Sequence, residues 1–301
     1  MKYTRWCKIP TKRWNKGEIM NIAILPNLTR ENAQETTVQI CRELDSLGAC
    51  VYLDASQHPQ FDGVPARFLP QDAMLERCDL VIAVGGDGSI IYAAHKAIRA
   101  GKPVLGINAG RLAFLAGLER HELPLLRKLF TGEYETQRRM LLRAQILLDG
   151  QVVHEALCIN DAVLSRTGAA KLTGVRVLTN GRKTCDYLGD GVIVATPTGS
   201  TAYSLSAGGP IVDPVLESLL LTPICPHALS GRTLLFAPDT TLTLQATTEG
   251  ELGLTCDGAE PLPVPKGAAV RISRADTCAY FIRIKTDTFI EIYHTKLQQR
   301  G

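Results

Sequence analysis

The sequence predicts an α/β N-terminal domain with a parallel sheet, followed by a β-rich C-terminal domain of antiparallel strands. Three observations point there. Up to residue 138, apolar runs alternate with helix-patterned stretches, the order expected of a parallel sheet covered by helices. From residue 139, short alternating runs follow one another, punctuated by Gly, Pro, Asn and Asp, as in antiparallel hairpins. The chain has 301 residues and is 45% hydrophobic, which allows two ordinary domains with a core in each.

The elements follow in order. Residues 21–25, Asn-Ile-Ala-Ile-Leu, form a short strand closed by Pro26. Residues 29–47 have a helical pattern, with Thr29 the candidate N-cap and Gly48 the stop. Residues 49–53 make a second strand. Residues 80–84, Leu-Val-Ile-Ala-Val, are a continuous apolar run of the kind a parallel sheet buries on both faces. Residues 89–99 are helical in pattern and stop at Gly101; 104–107 form another strand and 121–130 another helix. Beyond 139 the strand-patterned runs are 141–148, 152–156, 175–178, 191–196, 234–236, 241–246 and 270–273, with Asp149-Gly150 and Asn180-Gly181 as turns. A helix is expected within 200–220, and residues 289–299 fit either a strand or a short helix. The domains are 20–138 and 139–280.

Composition narrows the function classes. No run of about 18 apolar residues occurs, which argues against a spanning helix. Residues 1–19 hold six basic side chains and one acid, and the remaining residues carry a net charge of −2. A broad nucleic-acid-binding field is therefore not expected. The 1–19 segment reads either as a basic arm that binds a partner or as a loose or misassigned extension; it lacks the apolar centre of an export signal. Nine scattered cysteines, with no Cys-x-x-Cys pair, read as reduced thiols of a cytoplasmic protein rather than as a zinc site.

Three segments carry chemistry. Gly85-Gly86-Asp87-Gly88-Ser89 leaves an apolar strand and opens a helix. Glycines let a backbone approach a ligand closely, and a helix N-terminus suits phosphate. Asp87 stands out, because a carboxylate repels phosphate unless it holds a metal or accepts a proton from an attacking hydroxyl. The plainer reading is a strand-to-helix turn capped by Ser89. The spacing matches neither of the common nucleotide motifs, G-x-x-x-x-G-K-[ST] or G-x-G-x-x-G. The second segment, residues 196–209, places Thr198, Ser200 and Thr201 beside Tyr203, whose ring can stack on a base. Ser and Thr are also ordinary helix caps, but three hydroxyls with an aromatic suit a small-molecule site. The third, Asn160-Asp161, is out of place in an apolar strand, where polar groups need partners. Asn can read a base edge and Asp can hold ribose hydroxyls; the rival reading is a turn at a strand end. Lys171 is a candidate phosphate contact or a solvated lysine. His227, between prolines, is either catalytic or part of a rigid loop. Asp257-Gly258 looks like a hairpin turn.

Together these segments resemble the NAD kinase family over residues 20–295. The family's GGDG turn stands here as residues 85–88, its Asn-Glu/Asp motif as Asn160-Asp161, and its TPTGSTAY segment as residues 196–203, followed by Ser206-Ala-Gly-Gly-Pro210. GGDG alone is shared with lipid kinases and phosphofructokinases; TPTGSTAY is specific. The resemblance implies a fold shared with diacylglycerol kinases, and phosphoryl transfer to the adenosine ribose 2′-hydroxyl of NAD, giving NADP. It further implies Asp87 as general base, with Gly85, Gly86, Gly88 and Ser89 at the donor phosphates. Asp87, Gly88, Asn160, Asp161 and Lys171 would also hold NAD, Asp161 at the nicotinamide-side ribose. Thr198, Thr201, Ala202, Tyr203, Ser204, Leu205 and Ser206 would line the adenosine side, and Asp190 would reach a base across a subunit contact. ATP, or polyphosphate in some members, is the implied donor, with Mg²⁺ carried by the nucleotide and no protein metal ligand. A homodimer or homotetramer is implied, and residues 281–301 would return to the first domain. Three departures concern Ala113, Leu188 and Ala259, where relatives often have Gly, Arg or Gly, and Gln. The rivals are a lipid or sugar kinase, opposed by residues 196–203, and a catalytically silent dinucleotide sensor, opposed by Asp87.

Overall fold

The computed structural model describes residues 19–110, 113–168, 172–227 and 231–298. The chain divides into two compact units, one ending at Arg138 and resuming at Ala279, the other running from Arg139 to Cys278.

In the first unit, β1 (Asn21–Pro26), β2 (Cys50–Asp54), β3 (Arg67–Leu69), β4 (Leu80–Gly85) and β5 (Val104–Asn108) lie parallel in the order β3-β2-β1-β4-β5. Helices α1 (Ala33–Ser46), α2 (Gln71–Arg77) and α3 (Asp87–Ala100) connect them. Every residue of β4 and β5 is buried, as the unbroken apolar run of β4 requires. The strand order reverses between β1 and β4. Such a switch point opens a crevice at the carboxyl ends of the strands, and here those ends are Pro26 and Gly85.

Some boundaries differ from the sequence pattern. The first helix begins at Ala33, after Asn32, because the Thr29 hydroxyl is turned to the Asn27 side-chain oxygen and caps nothing. The third begins at Asp87 with Gly86 as N-cap, so Ser89 lies inside the first turn and is not the cap. The expected helix over 121–130 is a 3₁₀ stretch, Arg120–Arg127, followed by α4 (Lys128–Thr131). Pro124 lacks the N–H that an α-turn there would need. Residues 289–299 resolve as a helix, Phe289–Gln298.

The second unit holds β7 (Glu135–Leu148, from Arg139 on), which follows a two-residue β6 (Leu118–Glu119) in the first unit. Then come β8 (Gln151–Cys158), β9 (Asp161–Arg166), β10 (Thr173–Thr179), β11 (Arg182–Gly189), β12 (Gly191–Ala195), β13 (Leu219–Ile224), β14 (Leu234–Phe236), β15 (Leu242–Ala246), β16 (Leu252–Cys256), β17 (Leu262–Val264) and β18 (Ala269–Arg283, up to Cys278). One antiparallel sheet has the order β14-β13-β12-β9-β16-β17; the other runs β11-β10-β15-β18, with β7 joining β18 and β8 joining β7. Alternate residues of the two sheets, among them Leu142, Ala144, Val192, Val194, Leu242, Leu244 and Val270, share one core. Asp149-Gly150 and Asn180-Gly181 both take positive φ, as two-residue hairpin turns demand. The helix expected over 200–220 is only a 3₁₀ turn, Thr198–Thr201, and a single α-turn, Tyr203–Ser206. Gly208 at φ +85, Gly209 and Pro210 end it. Among the described residues no helix is long and apolar enough to cross a membrane.

Candidate active site

The glycine turn sits at the switch point of the parallel sheet. Gly85 ends β4 with φ +153, and a Cβ there would lie 2.5 Å from the Ser89 oxygen, so close packing excludes a side chain. Gly86 and Gly88 are different: a Cβ on either would meet nothing within 4 Å. Neither packing nor positive φ calls for glycine at these two positions, and the space beside them is open to a ligand. Asp87 is the first residue of α3. Its two carboxylate oxygens accept the N–H groups of Phe114 (3.0 Å) and Leu115 (2.8 Å). Two N–H donors fix the plane of the carboxylate. The Asn27 amide donates to the Ser89 oxygen at 2.9 Å, joining the end of β1 to the first turn of α3. A cleft of about 470 Å³ opens here, lined by Asn27, Asp54, Ser56, Gly88, Ser89 and Tyr92 among others.

The second unit carries a separate pocket of about 290 Å³, lined by Asn160, Asp161, Val163, Ser165, Ala202, Tyr203, Thr255, Asp257 and Gly258. That is the small end of ligand-site volumes. Asn160 and Asp161 stand where the chain leaves β8 and enters β9, not inside one strand as the pattern suggests. Their backbone is organised by Asp257. Its carboxylate accepts N–H groups from Ile159 (2.7 Å), Asn160 (2.7 Å) and Asp161 (3.1 Å), and its own N–H donates to the Asp161 carbonyl. Asp257 takes φ +50 in the turn with Gly258, as a hairpin residue does, and its carboxylate gives it this second role at the β8–β9 junction. Burial, and secondarily the Asp257 charge, push the Asp161 carboxyl up to about 7.

The hydroxyl-rich segment is fastened to the same junction. Thr196 donates its hydroxyl to the Ile159 carbonyl (2.6 Å) and its N–H to the Asn160 carbonyl (2.8 Å). A Cβ on Gly199 would lie 2.1 Å from the Asn160 carbonyl oxygen, so glycine is required for this close approach. Tyr203 remains exposed at the pocket, and partial burial raises its phenol pKa.

Two family models match: the ATP-NAD kinase N-terminal domain over residues 69–134 and the ATP-NAD kinase C-terminal domain over residues 159–284. The NAD kinase of Symbiobacterium thermophilum is 38% identical over 277 residues, 91% of this chain and 98% of that protein. This chain belongs to the NAD kinase family. The NAD kinase of Desulforamulus reducens is also 38% identical, over 79% of this chain and 83% of the relative. Two solved structures share the fold. Yeast NADH kinase, in a complex with NADH, aligns with a TM-score of 0.84 at 24% identity over 93% of this chain and 88% of its own. An NAD kinase from Archaeoglobus fulgidus, in a complex with ATP, gives 0.71 at 23%, over 93% and 98%.

Within this NAD kinase family chain, the expected residues are distributed unevenly. Of the expected first-unit residues, Gly88 and Ser89 line the cleft, whereas Gly85, Gly86 and Asp87 do not; Asn160, Asp161, Ala202 and Tyr203 line the second-unit pocket. Ser204 is fully buried and its hydroxyl is shared with that of Thr222. Thr198 is buried, and its hydroxyl finds no partner among the described residues. Thr201 bonds the Thr198 carbonyl; Leu205 is half-buried and Ser206 exposed. Asp190 is paired with Arg166 at 2.9 Å. Lys171 and the 1–18 extension lie outside the described residues. Sequence reasoning missed Asn27 and the role of Asp257. The separation of 96 to 98 residues between Asp257 and the N–H groups it binds leaves no local signal; an Asp-Gly pair reads as a turn wherever it falls.

Proposed function

We propose that the protein transfers the terminal phosphoryl group of ATP to the 2′-hydroxyl of the adenosine ribose of NAD, making NADP. The observation that carries this reading is Asp87, a carboxylate held by two backbone N–H groups on the first residue of a helix that opens at the switch point. As the hydroxyl oxygen attacks the γ-phosphorus, Asp87 takes its proton, the bond to the β–γ bridging oxygen breaks, and ADP leaves. The N-terminus of α3 and the Gly85–Gly86–Gly88 backbone take phosphate oxygens. Phosphoryl transfer needs positioning and charge neutralisation more than covalent help. In this reading Mg²⁺ would enter on the nucleotide and would supply charge neutralisation there. In the second unit, Asn160 and Asp161 hold the dinucleotide, Asp161 at a ribose, with Tyr203 stacked on adenine and the 198–206 segment, Asp190 and Lys171 completing the contacts.

The same reading has the protein as a cytoplasmic homodimer or homotetramer. The eight free thiols among the described residues suit a reducing compartment.

The test is NADP formation by purified protein with NAD, ATP and Mg²⁺, beside Asp87→Asn. Wild type should make NADP, and the variant should lose turnover by about 10²–10⁴-fold while NAD binding changes little. Turnover kept in the variant removes Asp87 from the base role. NADP formed only from polyphosphate reassigns the donor, and turnover of NADH alone reassigns the acceptor.

A further inference from the structure

The segment that holds Asp87 is itself held from the far end of the chain. Lys296, on the Phe289–Gln298 helix, is only 8% exposed. A buried ammonium needs carbonyl or carboxylate partners. Its Nζ donates to the Ala113 carbonyl and, at 3.2 Å, to one oxygen of Glu119. The other Glu119 oxygen accepts from the Asn108 amide (2.8 Å), and the Asn108 oxygen accepts the Gly110 N–H (2.9 Å). The network therefore grips both sides of the stretch between β5 and Leu115.

One feature of this network bears on catalysis. The Ala113 carbonyl and the Phe114 N–H belong to the same peptide group. Its oxygen faces the Lys296 ammonium, and its N–H faces the Asp87 carboxylate at 3.0 Å. A peptide placed between a cation and an anion is polarised along its length, so that each bond strengthens the other. We propose that Lys296 is a positioning residue for phosphoryl transfer. It sets the 113–115 segment so that two N–H groups hold the Asp87 carboxylate in its reactive orientation. It thereby makes that orientation depend on the docked C-terminal helix.

The proposal rests on Asp87 being the base, so Asp87→Asn is measured alongside. Lys296→Met keeps the length and apolar stem of the side chain and removes the ammonium. It should lower kcat by about ten- to a hundred-fold, the cost of a small misplacement of a reacting group. The KM values for NAD and ATP should stay within about threefold, because neither substrate touches Lys296 in this reading. Lys296→Arg, which restores the charge, should recover most of kcat. A kcat unchanged in Lys296→Met while Asp87→Asn is inactive overturns the proposal and leaves the base assignment standing. Equal losses in binding and turnover that Arg does not rescue reduce Lys296 to a stability role. If Lys296→Met does not fold, Glu119→Ala decides: it removes the counter-charge and the Asn108 anchor, and an unchanged kcat there also overturns the proposal. Turnover retained in Asp87→Asn instead refutes the base assignment itself.

Discussion

Asp257 satisfies three consecutive N–H groups with one carboxylate, and those groups belong to the residues that place Asn160 and Asp161. Leaving a buried donor unpaired costs about 1–3 kcal/mol, and more where the lost acceptor is charged. Asp257→Ala is therefore expected to loosen the β8–β9 junction and weaken NAD binding at least tenfold by calorimetric titration, with a lower melting temperature. Asp257→Asn keeps one acceptor oxygen and should fall between the two. An NAD dissociation constant within twofold of wild type in Asp257→Ala would show that the junction holds its shape without the carboxylate.

The two glycine-containing segments test whether an element is shaped by packing or by a ligand. Gly199 is pressed against the Asn160 carbonyl, 2.1 Å from where a Cβ would sit, and the atoms that a Cβ would meet are all backbone atoms of Asn160. Gly199→Ala must separate the 196–203 segment from the β8–β9 junction, so a loss of soluble protein or a fall of many degrees in melting temperature is expected. Gly86→Ala meets nothing within 4 Å and sits at φ −88. It should fold with an unchanged melting temperature and still raise the KM for ATP, because the methyl group enters space meant for phosphate. A normal KM would remove Gly86 from the donor site. This contrast also explains what was readable in the sequence. The unbroken apolar run of β4 and the Asp-Gly and Asn-Gly turns follow from local chemistry, and each motif announced itself by residues that no strand or helix needs. The short β3, the 3₁₀ turns and edge strands such as β17 depend on neighbours distant in sequence. So does the Lys296–Ala113 contact, whose partners are 183 residues apart, and no periodicity encodes it.

At the scale of the molecule, the Asp161 proton links stability to pH and, with Asp161 in its proposed place at a ribose, links both to NAD binding. Its carboxyl is raised from an ordinary 3.8 to about 7, chiefly by burial and then by Asp257. The folded chain thus holds a proton that the unfolded chain has released across this window. By linkage, stability falls as pH rises from about 4 to about 7, by an amount on the order of 4 kcal/mol, and the loss is complete above the folded value. Binding has the opposite sign. Ribose hydroxyls donate best to an ionised carboxylate, so NAD affinity should rise through the same window, with ligand offsetting the strain of a buried charge. Melting temperatures of free and NAD-bound protein between pH 5 and 8 measure both trends, with Asp161→Asn as the comparison that subtracts every other titrating group. The free wild type should lose stability relative to Asp161→Asn as pH rises, and NAD should narrow that gap most at pH 8. Parallel curves for the two proteins would mean that Asp161 is already ionised at pH 5, and that the pocket pays nothing for its charge.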